Sequence, residues 1–408
     1  MREKLAFFLD TEKISGGAYH ELVYMINKIY EKNEDLIEIV IISTSKNFDL
    51  KLKKNSLKIY HINMNALERH IAFLRNYDPT VRRIKKYFFF QNKLEKLLKN
   101  KNIDLVYFAG PSQYSLYLEE TDFIITIPDV SHREDLEFPE WTKSKTSEFH
   151  RREEIISKAA VRAIAIITNA QIIKEKISYF YKVSSERILV INQRPSITIE
   201  NFIKSDPKKS LEVNKKHNLP KSYIFYPAMY LPHKNHKYLI DVIKILNLEK
   251  GIDLSAVFCG SDKGYLEKIK SYTNKLDLRD KVRFLDYVDD EELPYLYLNS
   301  LALTMPTFSG PTNIPPWEAF KLEVPVFYSL IGKIKNVYKD AVYYIDPFDP
   351  NSLAMGLLKL LRSKEDKINL VSKGKELLKS VKIDKEYNQI FDVIKKRQKI
   401  KATWEFDN

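Results

Sequence analysis

Short apolar runs alternate with helix-period segments from one end of the chain to the other. In the first half, runs at Leu5–Leu9, Ile37–Ile42, Leu57–Ile62, Leu105–Phe108, Phe123–Ile127, Ala163–Ile167 and Ile188–Ile191 predict strands. Between the first two, Ala18, Leu22, Met25, Ile26 and Ile29 step by three and four, as one face of a helix does. In the second half the runs are Tyr223–Tyr226, Leu254–Phe258, Val282–Leu285, Leu301–Met305, Val324–Phe327 and Val342–Ile345, and Leu239, Val242, Ile243 and Leu246 mark a helix after the first of them. Strands that are apolar throughout, alternating with helices, predict parallel sheets covered on both faces.

The rhythm breaks once. Residues 201–221 are polar and Pro-punctuated, with no strand-like run, and read as a linker. The expected fold class is therefore α/β, with two Rossmann-like doubly wound domains facing each other across a deep cleft. The expected boundaries are 1–200, 222–385 and, as a C-terminal helix and tail packing back on the first domain, 386–408. Open α/β sheets bind ligands at the carboxyl ends of their strands, so the chemistry belongs just after the apolar runs.

Composition narrows the classes. Of 408 residues, 44% are hydrophobic, which is globular rather than disordered. The single cysteine, Cys259, excludes an internal disulfide framework and fits a reducing compartment. The start, "MREKLAFFLD", is too short for a signal-peptide core, and no run reaches the roughly 18 residues of a membrane span. A cytoplasmic location is the expectation. The net charge of +13 fits a Lys-rich soluble surface, an anionic lipid surface or phosphorylated small molecules. No zinc-knuckle spacing or RNP-like aromatic signature accompanies it, so nucleic acid is not expected.

The strand ends carry the candidate residues. Gly16 and Gly17 follow the first strand and open a helix, as a plain turn or as a close backbone approach to a ligand. After the fifth strand, "TIPDVSHRED" holds His132, either a cleft-facing group or a loop histidine satisfied by Asp129 or a carbonyl. After Tyr223–Tyr226, Lys234 lies at a helix entry between His233 and His236; a cation beside free helix amides suits phosphate. Those two histidines have no third ligand nearby, so no metal site is expected. Gly260 follows the next run, and Asp289 to Glu292 reads as a capping box.

The most unusual stretch is "TMPTFSGPTNIPPWEAF", 304–320. Pro315 and Pro316 suit a first helical turn but donate nothing, leaving the amides of Thr312, Asn313 and Ile314 to face an anion. Glu318 falls one turn deeper on the same face, either a solvated carboxylate near a helix start or, with Lys234 at the matching position on another strand, an acceptor for paired hydroxyls such as those of a ribose. Diphosphate at the helix tip and ribose one turn on describe a nucleoside diphosphate.

Together, "YPAMYLPHKNH", "VRFLDYVDDEELPYLYLNS" and "GPTNIPPWEAFKLEVPV" resemble glycosyltransferase family 4, retaining nucleotide-sugar enzymes of GT-B fold. The likeness runs over most of the chain, and "IPDVSHREDLEFPEW" is similar to members that build bacterial surface polysaccharides. The resemblance implies that Lys234 contacts the diphosphate and that the 312–314 amides contact its distal phosphate. It also implies that Glu318 holds the ribose and that backbone near Val288 holds the base. Gly16, Gly17 and Gly260 would join the donor site, and His132 the acceptor side. The chain departs from the family at Gly310, where the first Glu of a Glu-x7-Glu motif would stand, and at Ala228 and Met229, where an Arg is usual.

The implied reaction moves a sugar from a nucleotide diphosphate to a hydroxyl of a glycan or lipid-linked glycan, with no cofactor and no metal. Another GT-B enzyme, such as a nucleotide-sugar 2-epimerase, and a non-catalytic basic membrane-surface protein stay open as alternatives. On the acceptor-side domain, residues 81–101, "VRRIKKYFFFQNKLEKLLKNK", read as one continuous basic amphipathic helix, either core-facing with a solvated basic side or able to meet an anionic membrane at the inner face of the plasma membrane.

Overall fold

A computed structural model describes residues 3–10, 17–32, 37–45, 57–84, 92–143, 148–203, 206–286, 288–310 and 313–404. The chain divides into two compact units. The first contains strands β1 (Glu3–Leu9), β2 (Ile37–Ser43), β3 (Lys58–His61), β4 (Leu105–Phe108), β5 (Asp122–Thr126), β6 (Ala165–Thr168) and β7 (Ile188–Val190). They form one parallel sheet in the order β3-β2-β1-β4-β5-β6-β7. The second contains β8 (Tyr223–Pro227), β9 (Ser255–Cys259), β10 (Val282–Leu285), β11 (Ala302–Met305), β12 (Val326–Ser329) and β13 (Tyr343–Ile345), ordered β10-β9-β8-β11-β12-β13. Each of the 13 apolar runs forms a strand, within one or two residues of its expected ends.

The reason is visible in the burial. Central strand β4 is buried at all four positions and edge strand β3 is mostly exposed, as helices over both faces and an open edge require. In each sheet the strand order reverses once, between β1 and β4 and between β8 and β11. Those reversals open crevices at the strand carboxyl ends.

The units depart from the expected boundaries at residues 133–145, while the C-terminal helix joins the first unit, the side it was expected to pack on. Residues 133–145 belong to the second unit and 383–408 to the first. The first exchange has an aromatic cause: the Phe138 ring lies 6.0 Å from His233 and 5.7 Å from Phe308, both in the second unit. In the second, helix Ile383–Lys401 buries Tyr387, Ile390, Phe391 and Ile394 in the core that also holds Leu5, Phe7 and Leu105. Glu386 accepts from Asn192 N (2.9 Å) and Nδ2 (2.7 Å). Arg397 donates to Asp122 Oδ2 (2.7 Å), the Asp104 carbonyl (2.9 Å) and Glu3 Oε1.

Three local expectations are corrected. The polar stretch 201–221 contains a helix, Pro207–Lys216, capped by Asp206 and anchored by buried Val213. Asp-Pro before a polar run is an N-cap followed by a first-turn proline, a signal present in the sequence. Glu292 is not half of a capping box: its carboxylate takes Lys216 Nζ (2.7 Å) and His217 Nε2 (2.8 Å) from the end of that helix. The helix read through 81–101 is not continuous either. Asn92 has extended backbone and caps a new helix, Lys93–Asn100, after a separate one at Pro79–Ile84. Residues 85–91 lie outside the described residues. Within the second helix Glu95 is buried, its carboxylate accepting the amides of Glu119, Glu120 and Thr121.

Arg397→Ala leaves the buried Glu3 carboxylate without its cation. We expect a loss of about 3 kcal/mol of unfolding free energy in urea; an unchanged midpoint would contradict the role given to this helix.

Candidate functional site

The β8–β11 reversal gathers the residues that the sequence singles out in the second half. Strand β8 ends at Pro227, and the chain passes through a single turn at Pro232–Lys234 before helix His236–Lys244. Strand β11 ends at Met305, and its loop leads to Asn313 and helix Ile314–Lys321. The two loops are tied together: the Phe308 amide donates to the His233 carbonyl at 2.8 Å, and Thr307 Oγ1 to the same oxygen at 3.3 Å.

Lys234, 9% exposed, donates from Nζ to Asn313 Oδ1 at 3.3 Å. The Asn313 amide nitrogen in turn donates to the Gly310 carbonyl (2.5 Å) and the Tyr328 hydroxyl (2.6 Å). The Asn313 backbone N–H, one of the amides expected to face an anion, instead donates to the Tyr338 hydroxyl at 3.4 Å, whereas the bonds to Gly310 and Tyr328 come from its side-chain Nδ2. Burial pushes both phenols well above their usual range, so they stay protonated. Gly310 has φ +90°, a left-handed backbone that favours glycine, and a Cβ there would sit 3.3 Å from the Asn313 side chain. The turn that seats Asn313 therefore explains why a glycine, rather than a carboxylate residue, stands at 310.

In helix Ile314–Lys321 prolines fill the second and third positions. Ile314 thus carries the one N–H of the first three helical residues, at the positive end of the helix. Thr312 lies outside the described residues. Glu318 is 4% exposed; the Tyr297 hydroxyl donates to Oε2 at 2.7 Å and the Ser196 amide approaches Oε1 at 3.4 Å. Each carboxylate oxygen accepts two hydrogen bonds, so acceptor capacity remains beside these partners.

Other candidates have structural surroundings. Gly260 lets the chain after β9 cross the chain after β8: a Cβ would meet the Ala228 carbonyl oxygen at 2.2 Å. Tyr230 N bonds the Ser261 carbonyl at 3.1 Å beside that crossing. Val288 is buried in the apolar core of the second unit. His236 is a core histidine among the Tyr226, Tyr230 and Phe258 rings. In the first unit, Gly17 begins helix Gly17–Lys32, and Gly16 lies outside the described residues.

His132 is 0% exposed, and the acceptor-facing position expected for it is corrected. Its Nε2 lies 3.2 Å from Glu153 Oε2 and 3.2 Å from the Tyr181 hydroxyl. Arg152 has taken Asp129 (2.8 Å), so the partner of His132 comes from helix Glu148–Arg162 instead. Burial, then the Arg152 charge, hold its imidazole below the usual range.

Sequence reasoning missed Tyr297, Tyr328, Tyr338 and Glu140. The tyrosines look like ordinary apolar-run residues, since burial alone fits them. Glu140 Oε1 hydrogen-bonds His233 Nδ1 across 93 residues of sequence, a pairing no local spacing displays. Among the described residues, no group of three or more His, Cys, Asp or Glu side chains could hold a metal ion.

With this geometry in view, similarity to known proteins becomes informative. Residues 208–377 match the family described as glycosyl transferases group 1. The O-antigen chain mannosyltransferase RfbU of Salmonella typhimurium is 27% identical over 198 residues, 48% of this chain and 51% of that protein. The O-antigen chain mannosyltransferase B of Escherichia coli is 26% identical over 199 residues, again 48% and 51%. The chain thus spans about half the length of the curated relatives it matches. The crystal structure of Anabaena Alr3699/HepE in complex with UDP and glucose superposes with a TM-score of 0.71 at 15% identity, covering 97% of this chain and 100% of that one. At that identity the likeness shows the fold, the pair of Rossmann-like domains found in GT-B glycosyltransferases.

The buried histidines make stability pH-dependent. His236 is pushed down to about 3, by burial first and the Lys234 charge second, whereas an unfolded imidazole titrates near about 6.5. The unfolded chain therefore takes the proton first, and stability falls as pH drops below that value. Between pH 7.5 and 5.5 this one group should cost about 1.4 kcal/mol. His236→Phe should show a correspondingly shallower pH dependence in urea melts; equal slopes would contradict the assignment.

Proposed function

We propose that this chain is a retaining glycosyltransferase of family 4 type. It transfers a sugar from a nucleotide diphosphate to a hydroxyl of a glycan or lipid-linked glycan in bacterial surface polysaccharide synthesis. The observation that carries the reading is the meeting of the Lys234 ammonium with Asn313 and the start of helix Ile314–Lys321 at the strand reversal. A cation and a helix N-terminus at one point make an anion site, and that crevice is where open α/β sheets hold nucleotides. The group 1 match, the O-antigen mannosyltransferase relatives and the UDP-bound structural relative support it. The mannosyltransferase relatives also favour transfer over 2-epimerisation.

In this reaction the bond from the sugar's anomeric carbon to phosphate breaks and a bond to the acceptor oxygen forms on the same face. The acceptor's proton leaves with the nucleoside diphosphate. Negative charge grows on the departing phosphate, so Lys234 and the Ile314 amide act by electrostatic stabilisation. Glu318, steadied by Tyr297, takes the ribose hydroxyls. The reading requires no metal.

Removing one such donor costs on the order of 3 kcal/mol of barrier. Lys234→Ala should therefore lower turnover far more than Lys234→Arg, and equal losses would point to a packing role. Glu318→Gln keeps the volume and an acceptor for Tyr297, so it should stay folded and lose most transfer; parental turnover would remove the ribose assignment. The wild-type rate should be unchanged in EDTA, and strict dependence on added magnesium or manganese would contradict the metal-free reading.

No helix among the described residues is long and apolar enough to cross a membrane. Peripheral attachment through residues 81–101 is part of the proposal, supported by exposed Arg82 and Arg83 at the end of helix Pro79–Ile84. Each basic residue near an anionic bilayer contributes about 1 kcal/mol. Arg82→Glu with Lys86→Glu should weaken salt-sensitive sedimentation with anionic vesicles; equal sedimentation with neutral ones would contradict it.

A further inference from the structure

The donor-site loops of the second unit provide a cation and an amide for phosphate, and a buried carboxylate, Glu318, one turn deeper. A transferred sugar brings several more hydroxyls that need acceptors. The loop Thr307–Gly310 carries no charged side chain, and Gly310 at φ +90° has no side chain at all. A carboxylate nevertheless reaches this place from far away in sequence. Residues 133–145 are part of the second unit, and within them helix Pro139–Thr142 carries Glu140.

Two contacts hold Glu140 against His233, and the neighbouring packing ties both to the loop after β11. Its Oε1 hydrogen-bonds His233 Nδ1 and lies 3.4 Å from the His233 amide. The His233 carbonyl holds the Phe308 amide at 2.8 Å, two residues before Gly310. The Phe138 ring packs 5.7 Å from Phe308 and 6.0 Å from His233. The second oxygen, Oε2, is buried and has no hydrogen-bond partner. A buried carboxylate oxygen left without a donor is costly, and a ligand hydroxyl is the kind of group that removes the cost. Burial pushes the Glu140 carboxyl up, but the hydrogen bonds from His233 outweigh it and hold it below its usual range, so it is charged at neutral pH.

We infer that Glu140 is the carboxylate that receives hydroxyls of the donor's sugar, with His233, neighbour of Lys234, as its positioning residue. The inference rests on the nucleotide-sugar reading above. It makes the first-half segment "FPEW" part of donor recognition and assigns it a ligand class, a hexose with free hydroxyls rather than the nucleoside diphosphate alone.

The test compares two affinities in one protein. Calorimetric titrations of the full chain use UDP against UDP-glucose and GDP against GDP-mannose, for the wild type, Glu140→Gln and Glu140→Asp. Losing a charge-assisted hydrogen bond to a sugar hydroxyl should weaken the sugar nucleotide about tenfold. The matching nucleoside diphosphate should change less than about twofold. Glu140→Asp should recover part of the loss, and it carries the comparison should Glu140→Gln melt early. A ratio of the two affinities that stays at the wild-type value in both variants overturns the role of Glu140, whatever happens to stability. A wild type that binds none of the four compounds overturns the nucleotide-sugar reading, and this inference with it.

Discussion

The hydrogen bond from Lys234 to Asn313 joins the two loops that leave β8 and β11, the neighbouring strands between which the second sheet reverses order. Everything assigned to the site depends on that junction. Asn313 is the N-cap residue of helix Ile314–Lys321, so holding Asn313 also fixes where the positive end of that helix points. The left-handed Gly310, Tyr328 and Tyr338 close the turn around Asn313 from the other side. The contact sets the Lys234 ammonium beside the start of that helix, and a cation at a helix N-terminus favours an anion.

The fold was legible because parallel strands covered on both faces must be apolar throughout, and such runs cannot hide. What escaped sequence reading shares a different property. Pro207–Lys216 buries a single valine, Val213, so its helical period is almost silent. The break at Asn92 is a capping event that a continuing apolar stripe conceals. The transfer of residues 133–145 to the second unit rests on Phe138 and Glu140 meeting partners that are distant in the chain.

The site was partly legible for the same reason. Lys234, Asn313 and Glu318 follow strands or open helices, where open α/β sheets place their ligand crevices, and the structure brings Lys234 and Asn313 into contact. Gly260 follows a strand too, but its missing side chain is used by the Ala228 backbone. His132 shows the limit of the rule: a histidine just past a strand was drawn inward by Glu153 and Tyr181 on elements that its local sequence does not mention. Glu140 shows the converse, since it stands in no motif and reaches His233, in the loop after β8, only through tertiary packing.

The central claim is that the phosphates of a nucleotide sugar lie between Lys234 and the start of helix Ile314–Lys321. A crystal structure of the protein with a nucleoside diphosphate tests it most directly. The account predicts a phosphate oxygen within hydrogen-bonding distance of Lys234 Nζ, the Ile314 amide against the distal phosphate, and the ribose toward Glu318. Phosphates bound in the first unit, beyond the ends of β1 and β4, with Lys234 still donating to Asn313, would contradict it.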